Sequence, residues 1–115
     1  MKPARYLCPV DAPLQVLGGK WKLIICFYLS QQPRRNGELR RLMPVISQKM
    51  LTQQLRQLET DGIVQREVVD RVPPKVIYSL RPEEVDHLAP VLAALCAWGF
   101  YWADKTGIPL EAVGG

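Results

Sequence analysis

Residues 36–62 read NGELRRLMPVISQKMLTQQLRQLETDG, and this stretch decides the fold. Asn36 is of the type that caps a helix, and a helix from Gly37 sets Leu39, Leu42 and Met43 on one face at the i, i+3, i+4 spacing. Pro44 ends it, and Val45-Ile46 make a short turn. Ser47 is a second N-cap, for a helix that runs to about Thr60 and is closed by Asp61-Gly62. With Leu51 at zero and ~100° per residue, Leu55 and Leu58 fall within about 40° of it and form a core seam. Lys49, Thr52, Gln53 and Arg56 fall between about 100° and 200°. None of these is acidic, and no carboxylate follows Ser47 until Glu59. Two such helices joined by a turn of about three or four residues form a helix-turn-helix unit. Its second helix fits the ~12 Å wide major groove of DNA.

The flanks extend this unit. Asp11 or Ala12 starts a short helix through Val16 and Leu17, ended by Gly18-Gly19. Lys20 to Leu29 is apolar nearly all round after its basic start, which predicts a buried central helix ending before Pro33. Beyond Gly62 the period changes. Ile63–Val69 is rich in β-branched residues, and Val76–Leu80 alternates, so both read as strands. Asp70-Arg71-Val72-Pro73-Pro74-Lys75 is too long for a tight turn and too rich in proline for a strand. The expectation is a two-stranded hairpin with an extended loop. From Pro82 a long helix runs to about Lys105, bent at Pro90. Residues 107–115 read as a loose C-terminal tail. The predicted fold is mainly α with a small β hairpin (α+β): one winged helix-turn-helix domain over residues 1–115, with extra N- and C-terminal helices forming a dimer interface.

Composition agrees with one domain. The chain has 115 residues, 48% of them apolar, which excludes disorder as the main state. Residues 1–58 hold ten basic and two acidic residues, whereas residues 59–115 hold five basic and nine acidic ones. A basic half of that kind suits a polyanion. The opening residues carry no apolar stretch of a secretory signal. The longest apolar run, Leu88–Ala103, is 16 residues long and includes Pro90 and Gly99; a bilayer needs ~20. The expectation is therefore a cytoplasmic protein with no membrane partner. Three cysteines, one histidine and no CxxC leave almost no ligands for zinc, so neither a metal site nor a cofactor is expected.

Several features converge on double-stranded DNA. Lys49 and Arg56 suit guanine, Gln53 suits adenine or a phosphate, and Thr52 adds a further hydrogen-bonding group to the arc. Ser47 and Gln48 sit at a helix N-terminus, where free N–H groups favour a phosphate. Arg71 and Lys75 flank the stiff Pro73-Pro74 pair in the hairpin loop, within reach of a minor groove or phosphate. Arg34 and Arg35, with Arg40 and Arg41, lie at the entrance to the first helix of the pair, which crosses the DNA backbone in this geometry. The rival reading of such a face is ordinary solvation.

In the last helix, Leu88, Leu92, Leu95 and Trp102 are placed to cover the domain's own core. Val91, Trp98, Phe100 and Tyr101 then remain as apolar surface that needs a partner. A symmetric dimer supplies one. Its expected interface is Val91, Leu95, Trp98, Tyr101 and Trp102, with Leu95 and Trp102 counted on both surfaces.

Other function classes fit poorly. Gly19-Lys20 would need glycine at position 14 and Ser/Thr at position 21 to make a phosphate loop, and Leu14 and Trp21 stand there. His87 has no nucleophile to serve. A winged helix used only for protein contacts would leave duplex DNA unbound.

The chain resembles the HxlR-type transcription regulators, a winged-helix branch related to the MarR group. The resemblance runs from Cys8 to Gly99. It is carried by Leu17-Gly18-Gly19-Lys20-Trp21, Glu38-Leu39, Ile46 to Thr52, Leu55-Arg56, Leu58-Glu59 and Asp61 to Val64. Arg66, Val72 to Val76, Tyr78-Ser79-Leu80 and Trp98 complete it. Asn36, Val45 and Arg81 stand where that family commonly has an aromatic residue, a glycine and a threonine. The resemblance implies a homodimeric DNA-binding regulator that dimerises through its terminal helices. Some members of the family sense oxidants or electrophiles through a cysteine just before the first helix, and Cys8 occupies that place. A thiol beside a helix N-terminus and Arg5 is in the setting that makes cysteines reactive, and Asp11 opposes this. The alternative for Cys8 is a structural role, tucking the N-terminal arm onto the domain. Cys26 and Cys96 lie in apolar runs and read as packing residues.

Overall fold

The computed structural model describes residues 5–111, with Arg71 described by its backbone alone. Residues 112–115 of the expected tail lie outside them. Six helices and three short strands follow in the order α1 (Asp11–Leu17), α2 (Trp21–Gln31), β1 (Arg34–Arg35), α3 (Asn36–Leu42), α4 (Gln48–Thr60), β2 (Val64–Arg71), β3 (Pro74–Leu80), α5 (Pro82–His87) and α6 (Ala89–Thr106).

The helix pair forms as its local chemistry requires. Ser47 Oγ accepts from Met50 N–H at 3.1 Å, capping α4. At the other end Gly62 takes a left-handed φ of 76°. There Gly62 N–H donates to Glu59 O at 3.0 Å and Ile63 N–H to Leu58 O at 2.9 Å, which satisfies the last carbonyls. The cap of α3 is one residue earlier than the sequence predicts. Arg35 holds that place instead of Asn36, and Glu38 in the first turn accepts from Arg35 N–H at 2.9 Å. Leu51, Leu55 and Leu58 of α4 join Ile25, Cys26 and Leu29 of α2, Leu39, Met43 and Ile46 in one buried cluster. Each fully buried leucine or isoleucine contributes about 1.5–3 kcal/mol relative to exposure. α1 ends at Gly18, where a Cβ would collide with the Leu14 carbonyl oxygen of the last turn.

The sheet corrects two expectations. It has three strands, ordered β1-β3-β2, because Arg34 and Arg35 pair antiparallel with Tyr78 and Ile77. The hairpin loop is short, not extended: the ladder runs out to Asp70 opposite Lys75 and Arg71 opposite Pro74, leaving only Val72-Pro73 as the turn. The prolines permit this, since Pro74 opens its strand, where no amide donor is required of it. A bulge between Val68 and Asp70 adds Val69 to β2.

The last helix divides at Leu88, because Pro90 has no N–H to give to the preceding turn. Arg81 caps α5 without a side-chain cap bond; its Nε instead donates to Glu83 Oε1 at 2.8 Å, which holds the Glu83 carboxyl below the usual carboxylate range. Of the four residues expected in the core, Leu88 and Leu92 are buried there. Leu95 and Trp102 are not: they remain 48% and 43% exposed. Both share the helix face of Leu88 and Leu92 at ~100° per residue, but they lie further along α6, beyond Leu92, where the buried cluster ends.

Candidate nucleic-acid interface

The leucine seam decides what α4 shows to solvent. With Leu51, Leu55 and Leu58 turned inward, Ser47, Gln48, Lys49, Gln53 and Arg56 are exposed and Thr52 is half-buried among them. The arc read from periodicity is therefore one contiguous surface. Gln48 is not free on it. Its Oε1 accepts from Arg40 Nη1 and its Nε2 donates to Thr52 Oγ1, both at 3.0 Å. The Gln48–Thr52 pair follows from i, i+4 spacing. Sequence reasoning counted Arg40 only as entrance charge, because its link to Gln48 crosses the turn.

The other basic residues are placed differently from one another. Arg34 Nε donates to Tyr28 O at 3.3 Å and its Nη2 to Gln31 Oε1 at 2.8 Å, so it caps the end of α2. Arg35 stands 3.6 Å from Glu38, half exposed. Lys75 faces Asp70 across the hairpin at 3.5 Å, both about half exposed, so its charge is partly offset. The side chain of Arg71 lies outside the described residues.

On α6, Val91, Leu95, Trp98, Tyr101 and Trp102 are all exposed. Trp98 and Trp102 stack with centroids 5.1 Å apart and planes 11° from parallel, and Lys105 Nζ lies 5.3 Å over the Trp102 ring. This face is preorganised by its own aromatic contacts.

The cysteines separate cleanly. Cys8 is exposed, with its carbonyl accepting from Asp11 N–H at 3.0 Å, while Asp11 Oδ2 accepts from Leu7 N–H at 2.9 Å. Asp11 thus clips the arm that carries Cys8. Cys26 is buried, and burial together with the Glu84 carboxylate pushes its thiol up to about 12. Cys96 is half-buried. Among the described residues no cluster of His, Cys, Asp and Glu could hold a metal ion, and no helix is long and apolar enough to cross a membrane.

Comparisons with known proteins agree with this geometry. A family model described as HxlR-like helix-turn-helix matches residues 16–107. The uncharacterized HTH-type transcriptional regulator YtcD of Bacillus subtilis (strain 168) is 52% identical over 99 residues, 86% of this chain and 78% of that protein. The solved structure of the redox regulator HypR in its reduced form superposes with a TM-score of 0.79 at 45% identity, covering 87% of this chain and 98% of that one. Its oxidized form gives 0.75 at 48% identity, over 82% and 96%. The reduced form of the transcriptional regulator YodB from B. subtilis gives 0.66 at 34% identity, over 91% and 99%.

Proposed function

The chain belongs to the HxlR-like helix-turn-helix family, whose relatives are transcriptional regulators and not enzymes, and from that premise we propose that it binds double-stranded DNA sequence-specifically as a homodimer and responds to oxidants or electrophiles through Cys8. The observation that carries the DNA reading is the exposed arc of α4, with Lys49, Gln53 and Arg56 around Gln48 and Thr52 and no carboxylate before Glu59. In this reading Lys49, Thr52, Gln53 and Arg56 face base edges in the major groove, and the backbone N–H groups of the α4 N-terminus at Ser47 and Gln48 face a phosphate, which leaves the Gln48 side chain to the groove. Arg35 and the remaining donors of Arg34 reach the DNA backbone beside α3. Lys75 does so from the hairpin, where a phosphate competes with Asp70 for its charge, and Arg71 is assigned from its position in the same turn.

The exposed stripe on α6 supports the dimer. Val91, Leu95, Trp98, Tyr101 and Trp102 present one apolar surface whose small neighbours, Ala94 and Ala97, permit close helix approach. A two-fold pairing of this stripe sets two α4 helices on one duplex. Two observations support Cys8 as the responsive thiol. It is exposed on the N-terminal arm while Cys26 is buried and held protonated, and the similar HypR structures are described as those of a redox regulator. Modification at Cys8 would shift that arm against the terminal helices and change the spacing of the α4 pair. The operator then selects against the modified state by whatever free energy separates the two spacings.

Arg56→Ala is expected to lose about 1–3 kcal/mol of specific binding with fold and dimer intact. Fluorescence anisotropy on a duplex selected by the wild type measures it, and unchanged affinity would sink the assignment. Trp98→Asp should sediment as a folded monomer, because a charge in an apolar interface has no partner; an unchanged dimer would move the interface elsewhere. Diamide should release the wild type from DNA in a gel shift and leave Cys8→Ser bound. Equal release of both would end the role of Cys8.

A further inference from the structure

Arg40 lies on α3, outside the arc that periodicity assigns to DNA contact, yet its guanidinium reaches across the turn to the first residue of α4. Arg40 Nη1 donates to Gln48 Oε1 at 3.0 Å, and Gln48 Nε2 donates to Thr52 Oγ1 at 3.0 Å. Arg40 Nε is buried with no acceptor among the described residues, so that edge of the guanidinium is held inward while Nη1 serves Gln48.

Donation along this chain runs in one direction. A guanidinium has donors and no acceptor. Gln48 must therefore turn its carbonyl oxygen to Arg40 and its NH2 to Thr52, which fixes an amide that could otherwise flip. Thr52 Oγ1 accepts that bond, so its own proton points elsewhere. Hydroxyls on α2 and α6 return their protons to the backbone: Ser30 donates to Phe27 O at 2.6 Å and Thr106 to Trp102 O at 2.8 Å. Thr52 makes no such bond among the described residues. Its O–H and the second N–H of Gln48 have no acceptor among the described residues and stay available as donors on the helix that carries Lys49 and Arg56.

We propose that Arg40 is a specificity-determining residue of the DNA interface: by engaging the Gln48 carbonyl oxygen and orienting its amide, it makes the α4 face at Gln48 and Thr52 richer in donors than in acceptors, which favours an accepting base edge. This rests on the reading that α4 enters the major groove. Guanine offers two acceptors there, N7 and O6, whereas adenine sets an N6 donor beside its N7. A free glutamine pairs with adenine through both of its amide atoms. Arg40 engages one lone pair of the oxygen that this pairing needs and turns the amide toward α3, and so tilts the choice at that position from adenine to guanine.

Selection of sites from a random duplex library by the wild type, Arg40→Met and Thr52→Val tests this. The wild type should enrich one position in each half-site where guanine exceeds adenine by about tenfold, the size of one good base contact. Arg40→Met keeps the length of the side chain without its donors. It should bring that ratio to about one, or invert it, at that position alone. Thr52→Val leaves α3 intact and should lower the same ratio at the same position, which keeps the test decisive even if circular dichroism finds Arg40→Met unfolded. Unchanged base preference in folded Arg40→Met or in Thr52→Val overturns the inference. Affinity loss in Arg40→Met that is uniform over all positions also overturns it and marks Arg40 as a phosphate contact. If the wild type enriches no sequence at all, the DNA reading itself fails, and the inference with it.

Discussion

Burying Leu51, Leu55 and Leu58 in the same cluster as Ile25, Leu39 and Ile46 fixes the rotation of α4 about its axis. A helix rotated by one residue, ~100°, would bring Thr52 inward and leave a leucine in water. Each such exchange costs a few kcal/mol, a large share of the stability of a small domain. The polar arc is thus the consequence of the apolar seam, and Lys49, Gln53 and Arg56 need no separate device to face outward. Ser47 and Gly62 set the length of the helix, and the seam sets its face.

The same reasoning separates α4 from α6. In α4 the apolar residues form a narrow seam that one core absorbs. In α6 they wrap the helix, and the core takes Leu92 with Leu88 just ahead of the helix and Ala89 partly buried beside them, which leaves Leu95, Trp98, Tyr101 and Trp102 at the surface. Trp98 lies on Trp102, and Lys105 covers the Trp102 ring, so the stripe is ordered before anything docks on it. An ordered surface loses less side-chain entropy on association. In the function proposed above, the arm carrying Cys8 and the terminal helices would link the thiol to the spacing of two α4 helices. A change at Cys8 would then act on DNA through that distance and not through a new contact to a base.

Local periodicity made much of this legible. The α4 seam, the Ser47 cap and the Gly62 stop are encoded within a few residues of one another, and the structure has all three. The features that were not legible depend on distance along the chain or on brevity. Arg34-Arg35 is too short to show a strand period, and it becomes a strand only because β3 lies beside it. The two prolines of the hairpin read as a long loop, yet one sits in the turn and the other opens a strand, where neither breaks a ladder. Leu95 and Trp102 have the spacing of core residues, but spacing does not say how wide the core is. The site shows the same division. Gln48 and Thr52 pair within one helix and could be foreseen. Arg34 looked like free charge and instead caps α2, while Arg40 joins Gln48 across eight residues and the turn.

The central claim is that two α4 helices, held by one dimer, read one face of a duplex. Hydroxyl-radical footprinting of the wild type on a selected duplex tests this most directly. Two protected patches with their centres about 34–36 Å apart, one helical turn or a whole multiple of it, are the predicted result. A single protected patch, or protection spread evenly without regard to sequence, would contradict it.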